Sequence, residues 1–158
     1  MTRLWRPVAV AALAAIAVAT LGALMTDLGT WYAGLTKPSW QPPDWMFPPA
    51  WTAIFALSAI AGVVAWRNAP DARAREAILV LFALNGFLNI LWSALFFRLK
   101  RPDWALYEVA LFWLSILLLI VVLARWSKVA SGLLVPYLVW VGVAALLNYR
   151  VVQLNASF

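Results

Sequence analysis

Charge divides this chain. Its Asp, Glu, Lys and Arg residues gather in short clusters, and between the clusters lie five apolar runs of almost equal length. Pro7–Thr26 is uncharged over 20 residues, Trp45–Trp66 over 22, Ala77–Phe97 over 21 and Val129–Tyr149 over 21. Trp104–Ala124 has 21 residues and a single charge, Glu108. A hydrocarbon core about 30 Å thick is crossed by about 20 helical residues rising ~1.5 Å each. The strands of a membrane barrel would be about 10 residues long with strict alternation, a pattern absent from this sequence. The expected fold is therefore all-α: an integral membrane bundle of five transmembrane helices. It forms one domain over 1–158, with spans of about 7–26, 45–66, 77–97, 104–124 and 129–149 and a loop at 27–44.

Composition agrees. Hydrophobic residues make up 66% of the chain and charged residues 11%, against about 25% charged in a soluble domain. The mean hydropathy is +0.89. A water-soluble core of this size has no place for so much apolar surface, and a disordered chain is excluded for the same reason. The net charge is +6. Because the basic residues sit at the ends of the apolar runs, anionic lipid headgroups are the expected partner, and nucleic acid is not. Seven basic residues (Arg3, Arg6, Arg67, Arg73, Arg75, Arg125, Lys128) fall on one side and five (Lys37, Arg98, Lys100, Arg101, Arg150) on the other. That favours an inside N-terminus. The first run, preceded by Arg3 and Arg6, also resembles a signal peptide, but it exceeds the usual apolar length of about 7–15 residues and reads as a retained helix.

The chain has no Cys and no His. Disulfides are impossible, and so are nucleophilic sites built on Cys–His or Ser–His pairs. Most zinc and iron sites lose their ligands too, so no metal site is expected.

Tryptophan is abundant, with 11 residues. Trp5, Trp66 and Trp126 fit an aromatic belt at the headgroups. Trp51, Trp92, Trp113 and Trp140 lie deeper, where an indole N–H needs a partner that lipid does not offer. On the third span Phe82, Asn85, Asn89, Trp92 and Phe96 recur every three or four residues and share a face. Tyr137, Trp140, Ala144 and Asn148 do so on the fifth span, and Trp51, Phe55, Ser58 and Gly62 on the second. Together these faces describe an aromatic-walled cavity with a few amides and hydroxyls, suited to a flat and mostly apolar ligand. Interhelical hydrogen bonding by the two Asn, with plain aromatic packing, is the competing reading. Glu108 is the one acid inside a span; it marks either a proton or cation pathway or a residue reaching out to Lys100 or Arg101 at the interface.

The loop and second helix read WYAGLTKPSWQPPDW (Trp31–Trp45) and FPPAW (Phe47–Trp51). Further on come Leu88-Asn89 with Trp92, Phe96-Phe97, Trp104–Leu106 followed by Glu108, VPYLVW (Val135–Trp140) and LNY (Leu147–Tyr149). In this order they resemble the translocator protein family, also called tryptophan-rich sensory proteins or peripheral-type benzodiazepine receptors, and the brevity of the chain resembles its bacterial members. The resemblance implies a five-helix bundle, usually homodimeric, in a bacterial membrane. It implies a pocket for protoporphyrin IX or other tetrapyrroles, sterols and synthetic flat ligands, closed by the 27–44 loop. By motif match Trp51, Asn89 and Trp140 line that pocket, Ala144 is a small residue beside the ligand, and Trp31 and Trp40 lie on the lid. With the shared faces, the candidate ligand-binding set is Trp31, Trp40, Trp51, Phe55, Asn85, Asn89, Trp92, Trp140, Ala144 and Asn148. Lys37 is the candidate partner for ligand carboxylates, against the simpler reading of a solvated surface charge. No cofactor is required.

Two departures from the family pattern matter. Tyr149 is followed directly by Arg150, and Gln153 stands where the family's sterol motif has a basic residue, so sterol binding is in doubt. Ser93 and Ala94 replace a Pro after Trp92, so no kink is expected there. Three functions remain. One is a tetrapyrrole receptor. Another is light-dependent oxidative porphyrin degradation, with Trp51 and Trp140 as the catalytic pair. The third is transport of porphyrin, sterol or another amphiphile, with Glu108 as a proton-coupling candidate.

Overall fold

The computed structural model describes the backbone of residues 2–155 and the side chains of residues 5–155. Every regular element among the described residues is helical: α1 (Thr2–Met25), α2 (Thr30–Ala33), α3 (Phe47–Asn68), α4 (Ala72–Ser93), α5 (Pro102–Leu123), α6 (Lys128–Leu133) and α7 (Val135–Leu154). Five segments are long and apolar enough to cross a membrane: Trp5–Met25, Asp44–Asn68, Ala72–Arg98, Pro102–Leu123 and Lys128–Leu154. They coincide with the five uncharged runs.

The helices outlast those runs at several ends, because a helix does not stop where hydrocarbon does. α4 begins at Ala72, five residues before the run that starts at Ala77. Asp71 is extended there, and its Oδ1 accepts from the Ala74 N–H at 2.7 Å, closing the first turn around Arg73, Arg75 and Glu76. Ser127 caps α6 the same way through the Ala130 N–H. α7 runs on to Leu154. There Arg150 donates to Gln153 and Gln153 to the Tyr149 hydroxyl, at spacings that support an exposed helical turn.

The end of α4 departs from expectation. No proline is present, yet Ala94–Arg98 widens into a π-helical turn in which the Leu99 N–H reaches the Ala94 carbonyl at 2.8 Å. The chain then reverses through Lys100, whose φ is 56°, and enters α5 at Pro102. Reversal within so few residues needs the left-handed backbone, and the wider turn brings Phe96 and Phe97 both toward the 27–44 loop.

α5 is the centre of the bundle. It packs against α4, α6 and α7, while α1 packs on α3 and α4. Val109, Phe112, Ile116, Leu119 and Leu123 form its buried stripe, continuous with Ile54, Ile78, Leu88, Tyr137 and Val141 of neighbouring helices. α1 approaches α4 closely at Gly86, where a Cβ would stand 2.9 Å from Val18 Cγ2. α3 and α7 have no close backbone packing; aromatic side chains bridge the space between them.

Gly86→Leu must push α1 away from α4. Overpacking of this kind costs about 1–3 kcal/mol, so the thermal midpoint of the variant in detergent should fall clearly below that of the parent. An unchanged midpoint would show that α1 adapts without loss.

Candidate functional site

Polar groups inside a bilayer gain by bonding to one another, and here six side chains do so in two clusters. In the first, Asn89 Nδ2 donates to the Tyr137 hydroxyl at 3.2 Å, and that hydroxyl donates to Asn85 Oδ1 at 3.1 Å. Asn85 Nδ2 then donates to Ser115 Oγ at 2.9 Å, and Ser115 donates to the Phe112 carbonyl at 2.7 Å. This chain ties α4, α5 and α7. In the second, Trp92 Nε1 donates to Asn148 Oδ1 at 3.1 Å, and Asn148 Nδ2 donates to the Pro102 carbonyl at 2.8 Å. Asn85 and Asn89 thus make the interhelical bonds of the competing reading, and Asn148 joins them.

The deep indoles divide into two kinds. Trp92 and Trp113 donate to protein acceptors, Trp113 to the Leu138 carbonyl at 3.2 Å. Trp51 and Trp140 make no hydrogen bond among the described residues, and their indole nitrogens are not fully enclosed. They stand instead in the aromatic bridge between α3 and α7. Phe47 meets Trp140 edge-on at 5.6 Å, Trp51 meets Tyr137 at 6.1 Å, and Phe55 stacks on Trp51 at 5.5 Å.

The 27–44 loop folds over the end of this bridge. Its helical turn sets Trp31 against Phe96 at 6.2 Å and Tyr32 against Phe97 at 5.5 Å. Two bonds clamp it to the end of α7: the Thr36 N–H donates to Asn155 Oδ1, and Asn155 Nδ2 donates to the Thr36 carbonyl, both at 2.8 Å. Pro38, Pro42 and Pro43 keep the rest of the loop out of helix. Gln41 donates to Asp44 and reaches the Tyr32 hydroxyl. Burial, and then the Asp44 carboxylate, pushes the Tyr32 phenol above its ordinary range. Lys37 Nζ sits 3.6 Å over the Tyr32 ring, a cation–π contact that holds the charge at the lip of the bundle.

Beneath the loop is a cleft of about 40 Å³ lined by Tyr32, Gln41, Phe47, Trp92, Phe96, Phe97, Ala144, Leu147, Asn148 and Val151. Of the sequence candidates, Trp92, Ala144 and Asn148 line it. Trp140 borders it through Phe47, Trp51 and Phe55 stand further along α3 against Tyr137 and each other, and Asn85 and Asn89 lie deeper. Trp31 packs behind Phe96, while Trp40 is 46% exposed on the outer side of the loop. Val151 escaped the sequence reading because it lies beyond the uncharged run that ends at Tyr149, and Leu147, inside that run, because an aliphatic residue does not stand out in an apolar span. Phe97 escaped it because regular helical spacing puts it off the Phe96 face. Glu108 does not reach Lys100 or Arg101. It is 7% exposed, and neither carboxyl oxygen has a hydrogen-bond partner; Arg101 pairs with Asp103 instead. Among the described residues no group of three or more acids stands close enough to hold a metal ion.

Five spanning helices, a hydrogen-bonded polar relay and an aromatic cleft covered by a loop describe a multi-pass integral membrane protein. The sequence pattern of the TspO/MBR family matches residues 9–154, and the chain belongs to that family. It is 44% identical to the tryptophan-rich protein TspO of Chlorobaculum tepidum, over 79% of each chain. It is 38% identical to the protein of the same name from Archaeoglobus fulgidus, over 91% of this chain and 94% of that one. It is 37% identical to the translocator protein of Sus scrofa, over 77% and 72%. The family is thus a membrane sensor and receptor family whose relatives span bacteria, an archaeon and mammals.

Asn155→Ala removes both clamp bonds. At about 0.5–1.5 kcal/mol each, their loss should speed hydrogen exchange across residues 30–43 by about tenfold while α5 stays protected. Exchange unchanged in the loop would show that aromatic packing alone holds the lid.

Proposed function

We propose that this protein is a receptor-like membrane protein that binds tetrapyrroles, protoporphyrin IX among them, between α3, α4 and α7 beneath the 27–44 loop, and that it resides in a bacterial membrane. The observation that carries this reading is the aromatic bridge. α3 and α7 meet mainly through rings, so rotation of Phe47, Trp51 and Trp140 widens the slot between the two helices for a flat macrocycle without moving either helix. Two indole N–H groups there are uncommitted and available to a ligand. A porphyrin's propionates would lie at the mouth, where Lys37 is the nearest loop cation.

A sensor needs two states that its ligand binds unequally. The closed cleft of about 40 Å³ is far below the 300–1,000 Å³ typical of ligand pockets, so binding must displace the loop. An open, ligand-filled state and a closed, empty one follow from that mismatch.

The same arrangement permits light-dependent oxidation of the bound porphyrin by dioxygen. The chemistry belongs to porphyrin, light and oxygen. Trp51 and Trp140 would serve as walls and as electron donors.

Protoporphyrin IX added in the dark should quench Trp fluorescence saturably at micromolar concentration. Trp51→Ala or Trp140→Ala should weaken that binding by about tenfold, in keeping with the area a buried indole contributes. Absence of saturable quenching would overturn the tetrapyrrole assignment. Under light, a new absorbance band should grow with the parent protein and not with the Trp51→Phe/Trp140→Phe double variant, which should still bind. Degradation at the parent rate by that variant would remove these two residues from the chemistry.

A further inference from the structure

Among the described residues two buried side chains keep polar atoms without a partner, the Ser58 hydroxyl of α3 and the Glu108 carboxyl, and only the second is ionisable. Glu108 lies in the central helix, and both its oxygens are enclosed and unbonded. The donors above and below it are all committed: Asn85 to Ser115, Ser115 to Phe112, Tyr137 to Asn85, Asn89 to Tyr137, Trp92 to Asn148, and Asn148 to Pro102. No cation compensates it, because the single salt bridge among the described residues joins Arg101 to Asp103. An uncompensated carboxylate is expensive in hydrocarbon. A protein that satisfies its other interior amides so fully leaves this group for something it does not itself supply.

The register of the helices shows what surrounds that group. The Asn85–Ser115 bond joins two antiparallel helices, so seven residues further along α4, at Trp92, the chain is level with Glu108. The Trp113–Leu138 and Asn148–Pro102 bonds put Gly142 and Val143 of α7 at the same depth. The Phe47–Trp140 contact brings the head of α3 there too. Glu108 therefore lies at the depth of Trp92, Phe47 and Trp140, although it is not among the residues that line the cleft. A carboxyl level with a ring-lined cleft suits an organic ammonium: the carboxylate takes the N–H, and the rings take the positive charge.

We propose that Glu108 anchors a second class of ligand, a flat aromatic molecule bearing a protonated amine, which enters beneath the same loop. This does not rest on tetrapyrrole binding, since a porphyrin presents carboxylates and no ammonium.

The test is equilibrium dialysis of the full chain in low-salt detergent at about pH 8 with two three-ring probes, cationic 9-aminoacridine and uncharged acridine. The parent should bind 9-aminoacridine about tenfold more tightly than acridine. Glu108→Gln should abolish that preference and leave acridine binding unchanged. Should the Gln variant aggregate, the infrared carboxyl bands of the parent replace it: 9-aminoacridine, and not acridine, should alter a buried carboxyl band. No preference in the parent, a preference retained by Glu108→Gln, or carboxyl bands blind to 9-aminoacridine would each overturn the proposal and leave Glu108 holding a proton only. Protoporphyrin binding measured in parallel separates the two readings. If it is lost while amine binding persists, only the tetrapyrrole assignment fails; the reverse result sinks only this one.

Discussion

The structure depends on the relay that runs from Asn89 through Tyr137 and Asn85 to Ser115 and the Phe112 carbonyl. Hydrophobic burial cannot hold helices together in lipid, because the acyl chains are as apolar as Leu. Close packing and interhelical hydrogen bonds must do it. Each bond in the relay crosses from one helix to another except the last, so α4, α5 and α7 are fixed in register as well as proximity. The Trp92–Asn148–Pro102 bonds repeat the arrangement nearer the interface. A shift of any of these helices by one turn would strand several donors in hydrocarbon, each at a cost of several kcal/mol. That penalty gives the bundle a single arrangement.

What those three helices hold rigid, the other side leaves soft. α3 meets α7 mainly through rings, and α1 packs on α3, α4 and the π-helical turn that ends α4. An aromatic seam without hydrogen bonds can open by rotamer change, whereas the relay cannot. The candidate site therefore lies where deformation is cheap, bordered by a wall where it is not. Trp92 joins the two regimes: its indole N–H is committed to Asn148 while its ring faces Phe96, Phe97 and the cleft.

The fold was legible because charge is costly in hydrocarbon: five uncharged runs of about 20 residues leave few alternatives. Partnering of the deep indoles was legible for the same reason and holds for Trp92 and Trp113. Which indoles would be bonded was not, since Trp51 and Trp140 differ from them only in what stands opposite, and that is tertiary. Glu108 looked like an interface residue because it lies one turn from Trp104; its inward direction is set by the rotation of α5 about its own axis. The π-helical turn left no trace of composition, as Ser93 and Ala94 are ordinary helix residues. It arises from the short reversal into Pro102, and it moves Phe97 onto a face that regular spacing denies it.

The loop carries this contrast to the mouth of the bundle. It is fastened by two backbone bonds to one side chain, Asn155, and by rings lying against rings. Two hydrogen bonds near water contribute about 1–3 kcal/mol together, an amount that ordinary ligand binding exceeds many times over. A loop held so lightly can lift at small cost. The relay beneath is worth more, so deformation of this bundle falls first on the loop and on the α3–α7 seam.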